Sequence, residues 1–194
     1  MARRILRRAA LGLVALLAAA TAQADALLID SAQSQASFAL RALWVKKIDG
    51  EFARVEGVIT REPAAGSFGV DVRIDAHSVR MPREDHAAWA RSGDFFDAAR
   101  HPWIRFRAEA QPERHLREGG RLRGELTLRW VTRAVEFELA PSDCPRPGVD
   151  CAVRARGEVQ RSEFGMDARR FVLGDRVRLD FAIRVHPAGA PDAG

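Results

Sequence analysis

The chain lacks tyrosine altogether, holds two cysteines in 194 residues, and shows no long apolar run beyond its first two dozen residues. Each absence excludes something. A membrane-spanning helix needs about 20 consecutive apolar residues, so nothing after the N-terminal segment reads as one, and a soluble protein is expected. The five histidines are His77, His86, His101, His115 and His186. None has metal-ligand spacing such as H-E-x-x-H or H-x-H, and none stands near a G-x-S-x-G nucleophile elbow. No phosphate-cradling glycine loop occurs. Asp94 and Asp97 form a conceivable acid–base pair, but their context reads better as a helix cap. The expectation is therefore no catalytic residue and no metal site. Internal repeats and low-complexity linkers are also missing, which suits one domain.

The first 24 residues read as a removable export signal, not as fold. Arg3, Arg4, Arg7 and Arg8 precede the apolar run from Ala9 to Ala20, and Ala22-Gln23-Ala24 is a small-x-small cleavage site. The apolar run is too short for an anchor. The paired arginines raise the twin-arginine route, but the residues after them do not fit it, so general secretion to the periplasm is expected. No cysteine follows the cleavage site, which removes the lipoprotein reading. Cleavage leaves 170 residues as a single domain over 25–186, with an Ala, Gly and Pro tail over 187–194.

Charge looks basic until the signal is removed. The chain has 31 Lys+Arg against 26 Asp+Glu, and the first 24 residues hold four of the bases and none of the acids. The remainder is near neutral, and its arginines mostly alternate with apolar residues. That describes a solvated outer face rather than a nucleic-acid footprint, which needs clustered excess charge.

Export makes a disulfide the default for Cys144 and Cys151. The turn chemistry between them, Pro145-Arg146-Pro147-Gly148-Val149-Asp150, joins one alternating run to the next. The bridge would staple a hairpin loop. A redox-active pair is the alternative, without the C-x-x-C spacing that usually marks one.

What the chain does have is alternation. Val177, Leu179, Phe181, Ile183 and Val185 point one way, while Arg178, Asp180 and Arg184 point the other. Successive strand side chains face opposite sides of a sheet, so this is a strand with one apolar face. Phe68, Val70, Val72 and Ile74 repeat the pattern, as do Ile104, Phe106 and Ala108, then Leu122, Leu126 and Leu128. Leu27–Asp30 with Ala36–Leu40 reads as one strand with a break. Glu51–Arg61 is another, with Gly57 a candidate bulge. The fold class is all-β: an antiparallel barrel of about eight strands around an apolar interior.

One segment departs from the pattern. Arg83–Ala90 reads as a helix, and Asp94–Arg100 as a short second helix capped by Asp94 and ended before Pro102. This insertion carries Phe95 and Phe96, apolar mass suited to capping one end of a barrel.

Several motifs fall in an order that resembles the YceI-like family. They are Asp30-Ser31-Ala32-Gln33-Ser34 with Phe38, Gly50-Glu51-Phe52, Ala90-Arg91-Ser92-Gly93-Asp94-Phe95-Phe96-Asp97, Gly124-Glu125-Leu126-Thr127-Leu128 with Val131-Thr132-Arg133, Arg161-Ser162-Glu163-Phe164-Gly165-Met166, and Gly174-Asp175. The resemblance implies a lipocalin-like barrel exported to the periplasm, holding an isoprenoid quinone or polyprenyl compound in a tunnel, with homodimers common. The chain departs from the family at Gln33, Arg129, Trp130 and Ala134: Gln33 and Arg129 replace family histidines, Trp130 a glycine and Ala134 a proline. Arg129 is either a head-group contact or an outer-face residue, and Trp130 either caps an opening or lies outside.

Three functions follow. The leading one is a carrier of an isoprenoid-type lipid or quinone, with no further cofactor. Its candidate lining is Phe38, Leu40, Val70, Val72, Ile74 and Phe106 in the first half, and Leu126, Leu128, Phe137, Leu139, Val153, Phe181 and Ile183 in the second. Trp89, Phe95 and Phe96 are the lid candidates. The second is an enzyme, for which the residues offer little. The third is a side-chain-filled barrel docking to a membrane electron-transport partner, with Trp44, Trp103 and Trp130 as aromatic anchors.

Overall fold

The structure is a computed structural model and describes residues 25–43 and 45–188. The expected export signal, Trp44 and the tail from residue 189 onward lie outside the described residues.

Twelve strands form one antiparallel sheet: β1 Asp25–Ile29, β2 Gln35–Ala42, β3 Lys46–Phe52, β4 Val55–Glu62, β5 Ser67–Asp75, β6 Val79–Arg80, β7 Trp103–Pro112, β8 Gly120–Leu128, β9 Val131–Leu139, β10 Val153–Gln160, β11 Arg176–Ile183 and β12 Val185–Pro187. Among the described residues two α-helices join them, α1 Glu84–Arg91 and α2 His115–Glu118, with short 3-10 turns at Ala76–Ser78 and Arg161–Phe164. The sheet order is β12-β1-β4-β5-β7-β8-β9-β10-β11-β2-β3-β6. This is the expected curled antiparallel barrel, with twelve strands rather than about eight.

The larger count comes from bending. β1 and β2 are not one broken strand: β1 pairs with β4 and β12, whereas β2 pairs with β11 and β3. Three long runs each bend once, between β1 and β2, between β3 and β4, and between β11 and β12. Their halves lie at opposite ends of the sheet order, so the curled sheet is closed by covalent corners. Hydroxyls pin these corners together. Ser34 Oγ accepts from the Arg184 N–H (3.0 Å) and donates to the Arg184 carbonyl (3.2 Å). Ser31 Oγ accepts from the Val55 N–H (3.2 Å), and Ser78 Oγ from the Arg54 N–H (3.1 Å). These bonds satisfy donors and acceptors that the bends remove from the ladder. Pro187 still pairs with Leu27, so the sheet reaches one residue into the expected tail.

The β4–β5 register runs unbroken through Gly57, which is therefore not a bulge. Gly57 instead permits close approach: a Cβ there would lie 2.2 Å from the Asp71 carbonyl oxygen. The bulge sits in β7, where one extra residue separates the partners of Phe68 and Val70. Ala110 takes a left-handed φ of 49° at that point.

α1 falls where expected, with Glu84 and Asp85 in its first turn and Arg91 in its last, charges that suit the helix dipole. The second expected helix is absent. Residues 93–100 form successive turns, and Asp94 caps nothing. Ser92 governs the turn instead. Its carbonyl accepts from the Phe95 and Asp97 N–H groups (3.1 and 2.8 Å), and its hydroxyl from Asp94 N–H (3.3 Å). Phe96 and Ala98 bond back to the carbonyls of Ala90 and Arg91. The turns bury four consecutive residues, Phe95, Phe96, Asp97 and Ala98, which point to all sides of a regular helix and could not share one buried face.

The outer face carries cross-strand arginine–carboxylate ladders. Asp71 bonds both Arg105 and Arg107, Glu56 bonds Arg54 and Arg73, and Glu136 bonds Arg123 with Arg121 alongside. These exposed pairs account for the alternating arginines.

Candidate functional site

The two ends of the barrel are closed by different means. At one end lie the β2–β3 hairpin, the β8–β9 turn, the β10–β11 connection and the insertion between β5 and β7 that carries α1. We call this the lidded end. At the other lie α2, the β4–β5 turn and the β9–β10 loop, in which Cys144 and Cys151 form a disulfide with Cα atoms 6.4 Å apart. We call this the stapled end. The disulfide falls between β9 and β10, as the turn chemistry predicts.

Inside the barrel, beneath the lid, is a cavity of about 110 Å³ lined by twenty apolar residues and Ser37, whose hydroxyl is engaged with the Asp180 carbonyl at 3.3 Å. A second cavity of about 90 Å³ lies toward the stapled end and shares Val70, Val72, Leu122, Ala155 and Ile183 with the first. The two therefore form one apolar core path divided by side chains.

The structure brings most of the expected lining together. Phe38, Val70, Val72, Ile74, Phe95, Phe96, Phe106, Leu126, Leu128, Phe137, Phe181 and Ile183 surround the first cavity. Leu139 and Val153 line the second. Leu40 is buried but borders neither, being part of the packed core. Trp89 also stays outside. Its ring stacks on Phe95 at 5.1 Å and faces a separate cleft with Met81, His86, Arg169 and Val172. Phe52, Ile104, Val159, Val177 and Leu179 lie on the same strand faces as the residues singled out, so their alternation was a sufficient signal. Met166 carries no such signal, since it comes from an irregular loop.

Two aromatic clusters divide the interior. Under the lid, Phe38 packs on Phe52 and Phe96 at 5.6 and 5.5 Å, and Phe95 on Phe96 at 4.6 Å. Deeper, Phe137 contacts Phe106 and Phe181 edge-on at 5.1 and 5.3 Å. Glycine makes room for these rings: a Cβ at Gly157 would lie 2.4 Å from Phe137, and one at Gly124 would lie 2.7 Å from Phe106.

The R-S-x-F-G-M segment owes its shape to Arg161, 1% exposed. Its guanidinium donates to the carbonyls of Met166, Ala168 (3.0 Å), Leu173 (3.2 Å) and Gly174 (3.1 Å). Burial lowers its pKa, and the carbonyls compensate a cation that has no direct carboxylate bond. Arg161 holds the β10–β11 loop so that Phe164 and Met166 point inward.

The remaining titration shifts lie outside the cavity. Hydrogen bonds from Arg73, Arg105 and Arg123 hold Glu56, Asp71 and Glu136 below their ordinary range, and Arg146 does the same for Asp150. Asp85 falls to about 2 beside Arg83. Among the described residues, no three His, Cys, Asp or Glu side chains are grouped to hold a metal ion.

The four family departures all sit outside the cavity, with Ala134 exposed on β9. Gln33 is exposed at the β1–β2 corner, its side-chain amide bonded to Asp30 at 2.6 Å. Arg129 belongs to the β8–β9 turn, not to a strand face. It donates to the Gly165 carbonyl at 2.6 Å and stacks on Trp130 at 4.2 Å. Trp130 is exposed. Trp103 lies on the outer face as the alternation predicts, half-buried under the Arg73 guanidinium at 4.6 Å.

Solved structures share this fold. Burkholderia cenocepacia BcnA is 19% identical, with a TM-score of 0.67 over 81% of this chain and 99% of its own. A polyisoprenoid binding domain from Saccharophagus degradans, implicated in plant cell wall breakdown, is 14% identical, with a TM-score of 0.65 over 84% and 99%. Campylobacter jejuni YceI protein is 21% identical, with a TM-score of 0.57 over 76% and 90%. No curated protein matches the chain. The YceI-like domain model matches residues 28–185, and with that match the chain belongs to the YceI-like family.

Proposed function

We propose that the protein is a periplasmic carrier of an isoprenoid-type amphiphile, a polyprenyl compound or isoprenoid quinone, held in the barrel interior. The observation that carries this reading is the cavity wall of twenty apolar residues, with no acid, base or metal ligand among them. Such a wall selects by solvation. Each buried methylene-sized group is worth about 0.8 kcal/mol, so a long chain needs few polar contacts. The polyisoprenoid-binding domain of the Saccharophagus protein, which shares the fold, adds support.

Volume qualifies the mechanism. The two cavities measure about 110 and 90 Å³. An apolar cavity of about 150 Å³ takes up one benzene. A chain of tens of carbons therefore enters only if side chains part. The rings under the lid, Phe95 and Phe96, are the ones to move, because they hang from turns rather than from the sheet.

The test is native mass spectrometry with organic extraction on protein purified from a bacterial periplasm. A stoichiometric amphiphile is expected. Folded Leu126→Asp and Phe181→Asp variants should lose it. Unchanged retention in those variants, or a wild-type mass that stays ligand-free after incubation with quinones, sinks the reading and favours a side-chain-filled barrel that docks to a membrane electron-transport partner.

A further inference from the structure

Large apolar side chains are unevenly exposed. Among the described residues six stand out, and five of them, Leu43, Val45, Trp130, Phe171 and Val172, belong to the lidded end. Val45 and Phe171 are each 85% exposed. They come from three tips: the β2–β3 hairpin, the β8–β9 turn and the β10–β11 connection. Single exposed apolar residues need no explanation, but a group gathered at one end marks an interaction site.

The tips are fastened together. Leu43 N–H donates to the Val172 carbonyl at 2.8 Å, and Gly174 N–H to the Arg41 carbonyl at 2.7 Å. Arg129 reaches the Gly165 carbonyl from the third tip. Leu43, Arg129 and Arg169 hold left-handed backbones, with φ of 47°, 57° and 54°. Such conformations are costly for bulky residues and gather at functional sites.

Charge identifies the occupant. The β2–β3 tip carries Arg41 and the chain's only lysines, Lys46 and Lys47, with Asp49 3.9 Å from the Lys47 ammonium. At the other two tips, Arg169 and Arg170 lie between Asp167 and Asp175, and Arg129 and Arg133 between Glu125 and Glu136, so the cations occupy the tips and the acids flank them. Arg170 lies over Phe171 at 5.1 Å and Arg129 over Trp130 at 4.2 Å. Aromatic and aliphatic tips set among long cationic side chains match a lipid interface with anionic head groups. There the apolar groups enter the boundary layer while the cations meet phosphates.

We propose that the lidded end is a docking face for an anionic lipid bilayer. The cleft between this face and α1, lined by Ala42, Lys46, Trp89, Arg169, Val172 and Leu173, then opens toward the bilayer. Trp89 of that cleft packs against Phe95, which lines the central cavity, with ring centroids 5.1 Å apart. That the cleft admits cargo rests on the carrier reading; the docking itself does not.

The experiment is co-flotation of the purified protein with vesicles, with no isoprenoid added. One set is equal parts phosphatidylglycerol and phosphatidylcholine, and the other is phosphatidylcholine alone. The protein should float with the anionic vesicles and show blue-shifted tryptophan emission. Lys46→Glu/Lys47→Glu/Arg170→Glu and Leu43→Asp/Phe171→Asp should each weaken partition about tenfold or more. Raising the salt to about 0.5 M should weaken the wild type likewise. Arg114→Glu, at the stapled end, should partition as the wild type does. Equal flotation of wild type and tip variants, indifference to anionic lipid, or recovery only with a membrane protein present overturns the proposal. Because cargo is read separately by extraction, flotation without cargo removes the carrier reading alone, and cargo without flotation removes docking alone.

Discussion

The two ends of the barrel solve the same closure problem with opposite chemistry. At the stapled end the loops are cross-linked. The Cys144–Cys151 bridge closes the β9–β10 loop, Arg146 pairs with Asp150 at 2.6 Å, Arg61 pairs with Glu113, and Arg184 donates to the carbonyls of Val149 and Asp150. At the lidded end no covalent tie is found among the described residues. Phenylalanine rings fill the opening, one buried arginine gathers carbonyls, and apolar tips face outward. The covalent tie restrains the β9–β10 loop, whereas the lidded end can part through side-chain movement without breaking a covalent bond. The difference assigns the moving parts to the lidded end.

Replacing Arg161 should break the lidded end most severely. Arg161→Leu strips four carbonyls of their donor, and each buried unsatisfied group costs about 1–3 kcal/mol. The expected loss is about 4 kcal/mol or more in chemical denaturation, with hydrogen exchange rising first over residues 161–175. Protection that falls evenly over both ends would mean the ends are not independent.

Removing the staple tests the other side. Cys144→Ser/Cys151→Ser should cost about 2–3 kcal/mol by the chain-entropy account, with added exchange confined to the β9–β10 loop. The wild type should show no free thiol when alkylated denatured and unreduced.

A smaller change sharpens the division between the cavities. Gly157→Ala drives a Cβ against the Phe137 ring, and overpacking costs about 1–3 kcal/mol. Thermal melting should drop, and uptake of a small apolar probe should weaken. A variant with unchanged melting would show that Phe137 swings freely.

Acid should act weakly and over the whole surface, on the outer face and at both ends alike. Glu56 and Asp71 titrate below their ordinary values of 4.5 and 3.8, chiefly through hydrogen bonds from Arg73 and Arg105. A carboxylate whose folded pKa is depressed stabilises the fold above its unfolded pKa and loses that contribution as pH falls through the folded one. Stability should thus be level above about pH 5 and decline from there downward. These pairs are exposed, so the slope should be shallow, and salt should flatten it.

Most of the barrel was legible in the chain. Alternation placed Val70, Val72, Phe106, Leu126 and Phe181 on one face, because the pleat leaves a strand residue only two sides. The same rule extends to Phe52, Ile104 and Leu179, which share those faces. It failed for Leu40, since facing inward does not decide between packed core and cavity wall. It failed at Asp94–Arg100 too. There a cap-like spacing promised a helix, but burying four consecutive residues, Phe95 to Ala98, required turns.

By itself, the sequence determined the apolar strand faces, the helix α1 and the disulfide loop, because these rest on local spacing, and the order of its motifs along the chain carried the resemblance to the family. Only the tertiary structure decided that β1 and β2 lie at opposite ends of the sheet order, that the interior leaves two small cavities, and that Leu43, Trp130 and Phe171 gather at one end. Those three residues lie far apart in the chain, and no local period links them. Their meeting depends on strand register and on where the long strands bend.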